Sequence, residues 1–119
     1  MQVQSEQQLT STQCVACEGG VEKYSRDEAQ QQTAALAGWK LCDDGRRIAK
    51  DLVFKNFLAA IDCINQVASV AEQEGHHPDL HLEDYRRLRI ELSTHSIGGL
   101  SANDFILAAK IDQLPLTRC

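Results

Sequence analysis

"DLHLEDYRRLRIELST", residues 79–94, decides the fold. In its second half Leu88, Ile90 and Leu92 alternate with Arg87, Arg89 and Glu91. Side chains along a strand point to opposite faces in turn, so one face here is apolar and the other charged. Such a strand belongs to an antiparallel sheet with helices on one side and water on the other. The stretch divides into two strands, at residues 79–83 and 86–94.

A second pair of strands is expected at residues 39–42 and 46–52, on either side of the hairpin-turn dipeptide Asp44-Gly45. Trp39 and Leu41 share one face there. Between the two pairs lies "FKNFLAAIDCINQVASVAEQEG", with Phe54, Phe57, Leu58, Ile61, Ile64, Ala68 and Ala71 at helical spacing. Lys55, Asp62, Gln66, Ser69 and Gln73 line the opposite face, and Gly75 is placed to end the helix. Ser25 and Glu28 form a capping-box signature that opens a helix over residues 26–37, closed by Gly38. Ser101 and Asp104 open a last helix in the same way, and Pro115 follows it. The order is α-β-β-α-β-β-α: an α+β fold with a four-stranded antiparallel sheet and helices packed on one face.

A chain of 119 residues makes one domain. It can bury roughly two-thirds of its unfolded surface. The domain is expected over residues 25–114, after a flexible arm at 1–24 whose first dozen residues are loose, and before a short tail at 115–119. The net charge of −5 argues against nucleic acid or an anionic membrane as the main partner. No apolar run approaches the roughly 18 residues of a membrane span. The polar start, "MQVQSEQQLTSTQ", lacks a secretory signal pattern. A soluble cytoplasmic chain is expected, or a plastid or other organellar one if a targeting peptide has been trimmed. The odd count of five cysteines, Cys14, Cys17, Cys42, Cys63 and Cys119, suggests free thiols.

Half of the four histidines, His76 and His77, sit side by side before Pro78. Pro78 biases His77 toward extended backbone, so both rings lie on a helix-to-strand corner. Glu72 is four residues before His76, and within a continuing helical turn its carboxylate would reach that ring and favour the imidazolium. With an ordinary pKa of about 6.5, imidazole suits acid–base work at neutral pH. A histidine after a helix C-terminus can also be a plain capping residue. His95, after Thr94 at the end of the last strand, is the third candidate. It would lie on the wet face if the strand ran through it, and bonding to backbone is the structural alternative. His81 is expected at an exposed edge. Asp104 has a sufficient explanation as a helix cap. Cys14-x-x-Cys17 is half of a zinc set that His76, His77 and His81 could complete, but a second Cys-x-x-Cys and a His-Glu-x-x-His are both missing, and no metal is expected. Arg46, Arg47, Arg86, Arg87 and Arg89 read as solvated strand faces.

"AEQEGHHPDL", Tyr85 and "LSTHSIGGLSANDFILAAKID" together resemble the pterin-4a-carbinolamine dehydratase family. Glu72, His76-His77-Pro78, Tyr85, Thr94-His95, Gly99-Leu100-Ser101 and Asp104 fill that family's pattern, and "GW" at 38–39 and "FKNF" at 54–57 are similar too. Where many members carry an aromatic soon after His-His-Pro, this chain has Asp79-Leu80-His81. The resemblance implies dehydration of a 4a-hydroxytetrahydropterin to the quinonoid dihydropterin, in tetrahydropterin recycling, without metal or cofactor. It implies His76, His77 and His95 as catalytic residues and Glu72, Pro78, Thr94 and Asp104 as substrate-binding or tuning residues. His76 and His95 would be the acid–base pair, His77 mainly a pterin contact, and Glu72 the group that tunes His76. It also implies a homodimer or homotetramer. Some members serve instead as dimerisation cofactors of a transcription factor or as assembly chaperones, which leaves a non-catalytic protein-binding role as the alternative.

Overall fold

A computed structural model describes residues 3–15 and 21–115. The elements are α1 (Glu6–Thr10), α2 (Arg26–Ala34), β1 (Lys40–Leu41), β2 (Ile48–Val53), α3 (Phe57–Glu74), β3 (Asp79–Glu83), β4 (Arg87–Leu92) and α4 (Ala102–Asp112), with a short 3-10 turn at His95–Ile97. The expected α+β order holds, preceded by one extra helix.

The sheet is antiparallel throughout, in the order β1-β2-β4-β3. The alternating segment is therefore a central strand. Its inward residues Leu88, Ile90 and Leu92 pair across to Leu52, Lys50 and Ile48, and all but Lys50 are buried. Burying a side chain of that size contributes about 1.5–3 kcal/mol, so the register is held by apolar matching across the inner face. The outer face carries an ion ladder, in which Arg89 bonds Asp51 at 3.0 Å and Glu91 at 3.0 Å, with Arg47 and His81 also on Glu91. The hydrogen bond from Arg89 is the main cause that holds the Glu91 carboxyl below its usual range. His81 is half exposed on the edge strand β3, as expected.

Lys50 faces inward and survives there by pairing. Its ammonium reaches Asp112 at 2.7 Å, and the buried Trp39 indole N–H donates to the same carboxylate at 3.1 Å. This cluster ties the first hairpin to the end of α4. The turn between β3 and β4 is unusual: Asp84 and Tyr85 both have positive φ, 50° and 53°, where glycine or asparagine is the usual occupant. Tyr85 is thus exposed at the far end of the strand that begins beside His76-His77-Pro78.

Two expectations need correction. The first dozen residues are not simply loose. Ser5 and Gln8 form a capping box, Leu9 is fully buried, and Gln4 exchanges two 2.8 Å hydrogen bonds with the buried Gln32 side chain. A five-residue helix has little stability of its own, so packing against α4 holds it. The second correction concerns α3. Its buried stripe is Ala60, Cys63, Val67 and Ala71; of the face read from sequence Ala71 and the preceding Phe54 are buried and Ile64 packs partly on the core, while Phe57 and Leu58 are 50% and 77% exposed. Ala60, Cys63 and Val67 thus take the inward positions, and the first turn leaves Phe57 and Leu58 outward. α4 itself is buried on nearly every side, from Asn103 through Ala109.

Candidate active site

The site is built where α3 stops. Gly75 takes the left-handed conformation at φ 66°, and its N–H and that of His76 return to carbonyls of the last helical turn. This cap turns the chain sharply, and the two histidines then diverge. His76 is buried beneath the corner, whereas the His77 side chain is 62% exposed. Successive side chains of extended backbone point opposite ways, so one ring of an adjacent pair must go in and the other out.

His76 meets Asp104, not Glu72. Its Nε2 lies 2.6 Å from Asp104 Oδ1, with Asp104 fully buried. A carboxylate oxygen only accepts, which puts the proton on Nε2. The other carboxylate oxygen accepts from Thr94 Oγ1 at 2.8 Å and from the Ser101 N–H at 3.0 Å, and Thr94 and Ser101 share a further 2.8 Å bond. Asp104 is therefore both the helix cap and the partner of a buried imidazole. Glu72 pairs with His77, and both side chains are exposed. The expected spacing from Glu72 to His76 requires a helix that continues, and Gly75 breaks it.

His95 does not lie on a strand. β4 ends at Leu92, and Thr94 closes a tight loop with Gly99 through hydrogen bonds of 2.7 and 3.4 Å. His95 opens the 3-10 turn within that loop and is exposed. It lines a cleft of about 180 Å³ with Asp44, Arg46, Arg47, Ser93, Thr94, Gly98 and Gly99. His76 and His95 are thus linked through one chain of bonds, from the ring to Asp104 to Thr94, whose neighbour is His95. His76 and His77 do not line that cleft. Pro78 is half-buried at the start of β3.

Sequence reading missed the clasp behind this site. The Asn103 side chain holds Val15 by both backbone groups, accepting from its N–H at 3.0 Å and donating to its carbonyl at 2.7 Å. The Cys14 N–H donates to Glu74 at 2.8 Å, and Glu74 binds Lys110 at 2.7 Å. Burial raises the Glu74 carboxyl, but the Cys14 N–H and Lys110 outweigh it and leave a lowered pKa. Burial, with Glu74 beside it, pushes the Cys14 thiol up to about 12, which makes it a poor nucleophile. Its partner in the Cys-x-x-Cys, Cys17, lies outside the described residues. Among the described residues no group of three or more His, Cys, Asp and Glu side chains is placed to hold a metal ion.

Comparison with known proteins agrees in both sequence and fold. The family model for pterin 4 alpha carbinolamine dehydratase matches residues 22–114. A putative pterin-4-alpha-carbinolamine dehydratase of Halorhodospira halophila is 44% identical over 106 residues, covering 89% of this chain and 96% of that protein. The mitochondrial pterin-4-alpha-carbinolamine dehydratase 2 of Arabidopsis thaliana is 41% identical over 109 residues, 89% of this chain and 58% of that protein. A Brucella melitensis crystal structure described as a transcriptional coactivator/pterin dehydratase superposes with a TM-score of 0.71 at 31% identity, over 76% of this chain and 96% of that one. A pterin dehydratase-like RuBisCO assembly factor of the alpha-carboxysome, 18% identical with a TM-score of 0.53 over 63% of this chain and 86% of that one, shares the fold.

Proposed function

The chain belongs to the pterin-4-alpha-carbinolamine dehydratase family, and from that premise we propose that it dehydrates a 4a-hydroxytetrahydropterin by histidine acid–base catalysis. The step is redox-neutral. The C4a–O bond breaks as the hydroxyl is protonated and leaves as water, the neighbouring N5 loses its proton, and the C4a=N5 bond of the quinonoid dihydropterin forms. One group must therefore donate a proton and another accept one, each typically contributing about 10²–10⁴ in rate.

The observation that supports this reading most is the buried bond between His76 and Asp104, joined through Thr94 to the His95 loop. A carboxylate behind an imidazole fixes its tautomer and stabilises the imidazolium that forms when the ring takes a proton. His76 is accordingly assigned as the base and the exposed His95 as the acid, with His77 and Pro78 as contacts to the ring. Asp104 takes the tuning role that the sequence reading gave to Glu72. Stopped-flow measurement on chemically generated 4a-hydroxytetrahydropterin tests this. His76→Ala and His95→Ala should each lower the dehydration rate by about 10²-fold or more, and wild-type rates in both variants would overturn the assignment.

A role in protein assembly is favoured by a different observation. Phe57 and Leu58 are exposed on the outer face of α3, at the end away from His76. We assign that face to association between copies, as a homodimer or homotetramer. No helix among the described residues is long and apolar enough to cross a membrane. The free thiols of Cys14 and Cys42 fit a reducing compartment such as the cytoplasm.

A further inference from the structure

The cleft beside His95 is basic, although the chain carries a net charge of −5. Arg46 and Arg47, from the turn between β1 and β2, form one wall. One more cation leans on its rim at Gly99, and another packs on the adjoining turn at Gly45, between Asp44 and Arg46. A Cβ on Gly99 would lie 2.7 Å from Lys23 Cε, and a Cβ on Gly45 would lie 3.1 Å from Arg26 Nη1. Asp44 is the opposing carboxylate, and it faces Arg47 at 3.7 Å, while Arg47 also reaches Glu91 at 3.4 Å. Lys23, Arg26 and Arg46 form no ion pair among the described residues. Arg89, farther along the outer face of the sheet, shows the contrast, since it bonds both Asp51 and Glu91. Unpaired cations gathered around a concave surface focus a positive potential into it, and a charged ligand group gains more there than on a flat surface.

We propose that this cleft is a subsite for an anionic group, carboxylate or phosphate, carried on the substituent of the pterin ring. The preferred substrate is then an acidic pterin, not one with a neutral hydroxyalkyl substituent. The inference rests on the reading that His95 faces the pterin. With the ring against His95, its substituent extends toward Arg46 and the Lys23 side of the Gly98-Gly99 rim. Two or three charge-assisted contacts at an exposed site are sufficient for a selectivity of about tenfold.

Fluorescence titration of the full chain with three stable pterins tests the proposal. The probes are 6-hydroxymethylpterin, its phosphate ester, and folic acid, whose glutamyl tail carries carboxylates. At least one acidic probe should bind about tenfold more tightly than the neutral one. The ratio should shrink as salt rises and approach one in a Lys23→Ala, Arg46→Ala variant shown by circular dichroism to be folded. Whether the phosphate or the carboxylate probe gains more identifies the acid group. Equal affinities for all three probes, or a ratio that the double variant leaves intact, would overturn the subsite while leaving the pterin reading in place. Failure of every probe to bind would remove the pterin reading and the subsite together.

Discussion

Asp104 concentrates more of the site than any other side chain. Three donors converge on its two oxygens, from His76, Thr94 and Ser101, all inside the protein. Replacing the carboxylate by an amide presents an N–H₂ where a donor already points. Asp104→Asn should therefore lower the dehydration rate constant by about 10²–10⁴-fold, by the logic of a buried acid that orients an imidazole, with a smaller effect on KM. Stopped-flow kinetics on the purified variant would check both numbers. The corner that carries His76 and His77 was legible in the sequence, because Gly75 and Pro78 are local signals of a helix end and a strand start. The pairing of carboxylates with rings was not. Spacing along a helix puts Glu72 near His76, and only the left-handed turn at Gly75 hands Glu72 to His77 and brings His76 to a partner 28 residues away. A contact of that range leaves no local pattern to read.

At the scale of elements, α1 and the segment after it act as a strap across α3 and α4. Leu9 is its buried anchor, and Leu9→Ala should cost about 2–5 kcal/mol by urea unfolding, where a loose arm would cost nothing. Glu74 is the strap's titratable fastening. Its pKa is lowered in the folded chain from the ordinary 4.5. A depressed carboxyl contributes stability that is present above the unfolded value and lost as pH falls through the folded one. Acidification below about pH 4.5 should therefore weaken the wild type more steeply than Glu74→Gln, measured as unfolding midpoints across that range. β4, the two capping boxes at Ser25 and Ser101 and the stop at Gly75 were all visible in the sequence, because each is a local pattern with a local cause. The strap was hidden because a single leucine in a polar run gives no periodicity. The buried face of α3 was only partly read, with Ala71 right and Phe57 and Leu58 wrong, because the helix has apolar residues on two sides and volume alone does not say which side goes inward.

For the whole molecule, the outer side of α3 and the central position of α4 matter most. Phe57 and Leu58 leave an apolar surface that water does not favour. Leu58→Lys should shift the chain to monomer in light scattering, with the isolated fold retained by circular dichroism. A mass equal to the wild type's would overturn the assignment of this face to association between copies. α4 runs through the middle of the protein, and its first turn holds both Asp104 and the strap's Asn103. The buried partner of His76 is consequently fixed on the most deeply enclosed helix of the described residues. Backbone amides of residues 105–109 should exchange with deuterium only through complete opening of the chain. Heating should then abolish turnover and cooperative structure at one temperature, with no window in which an intact body has lost its catalyst.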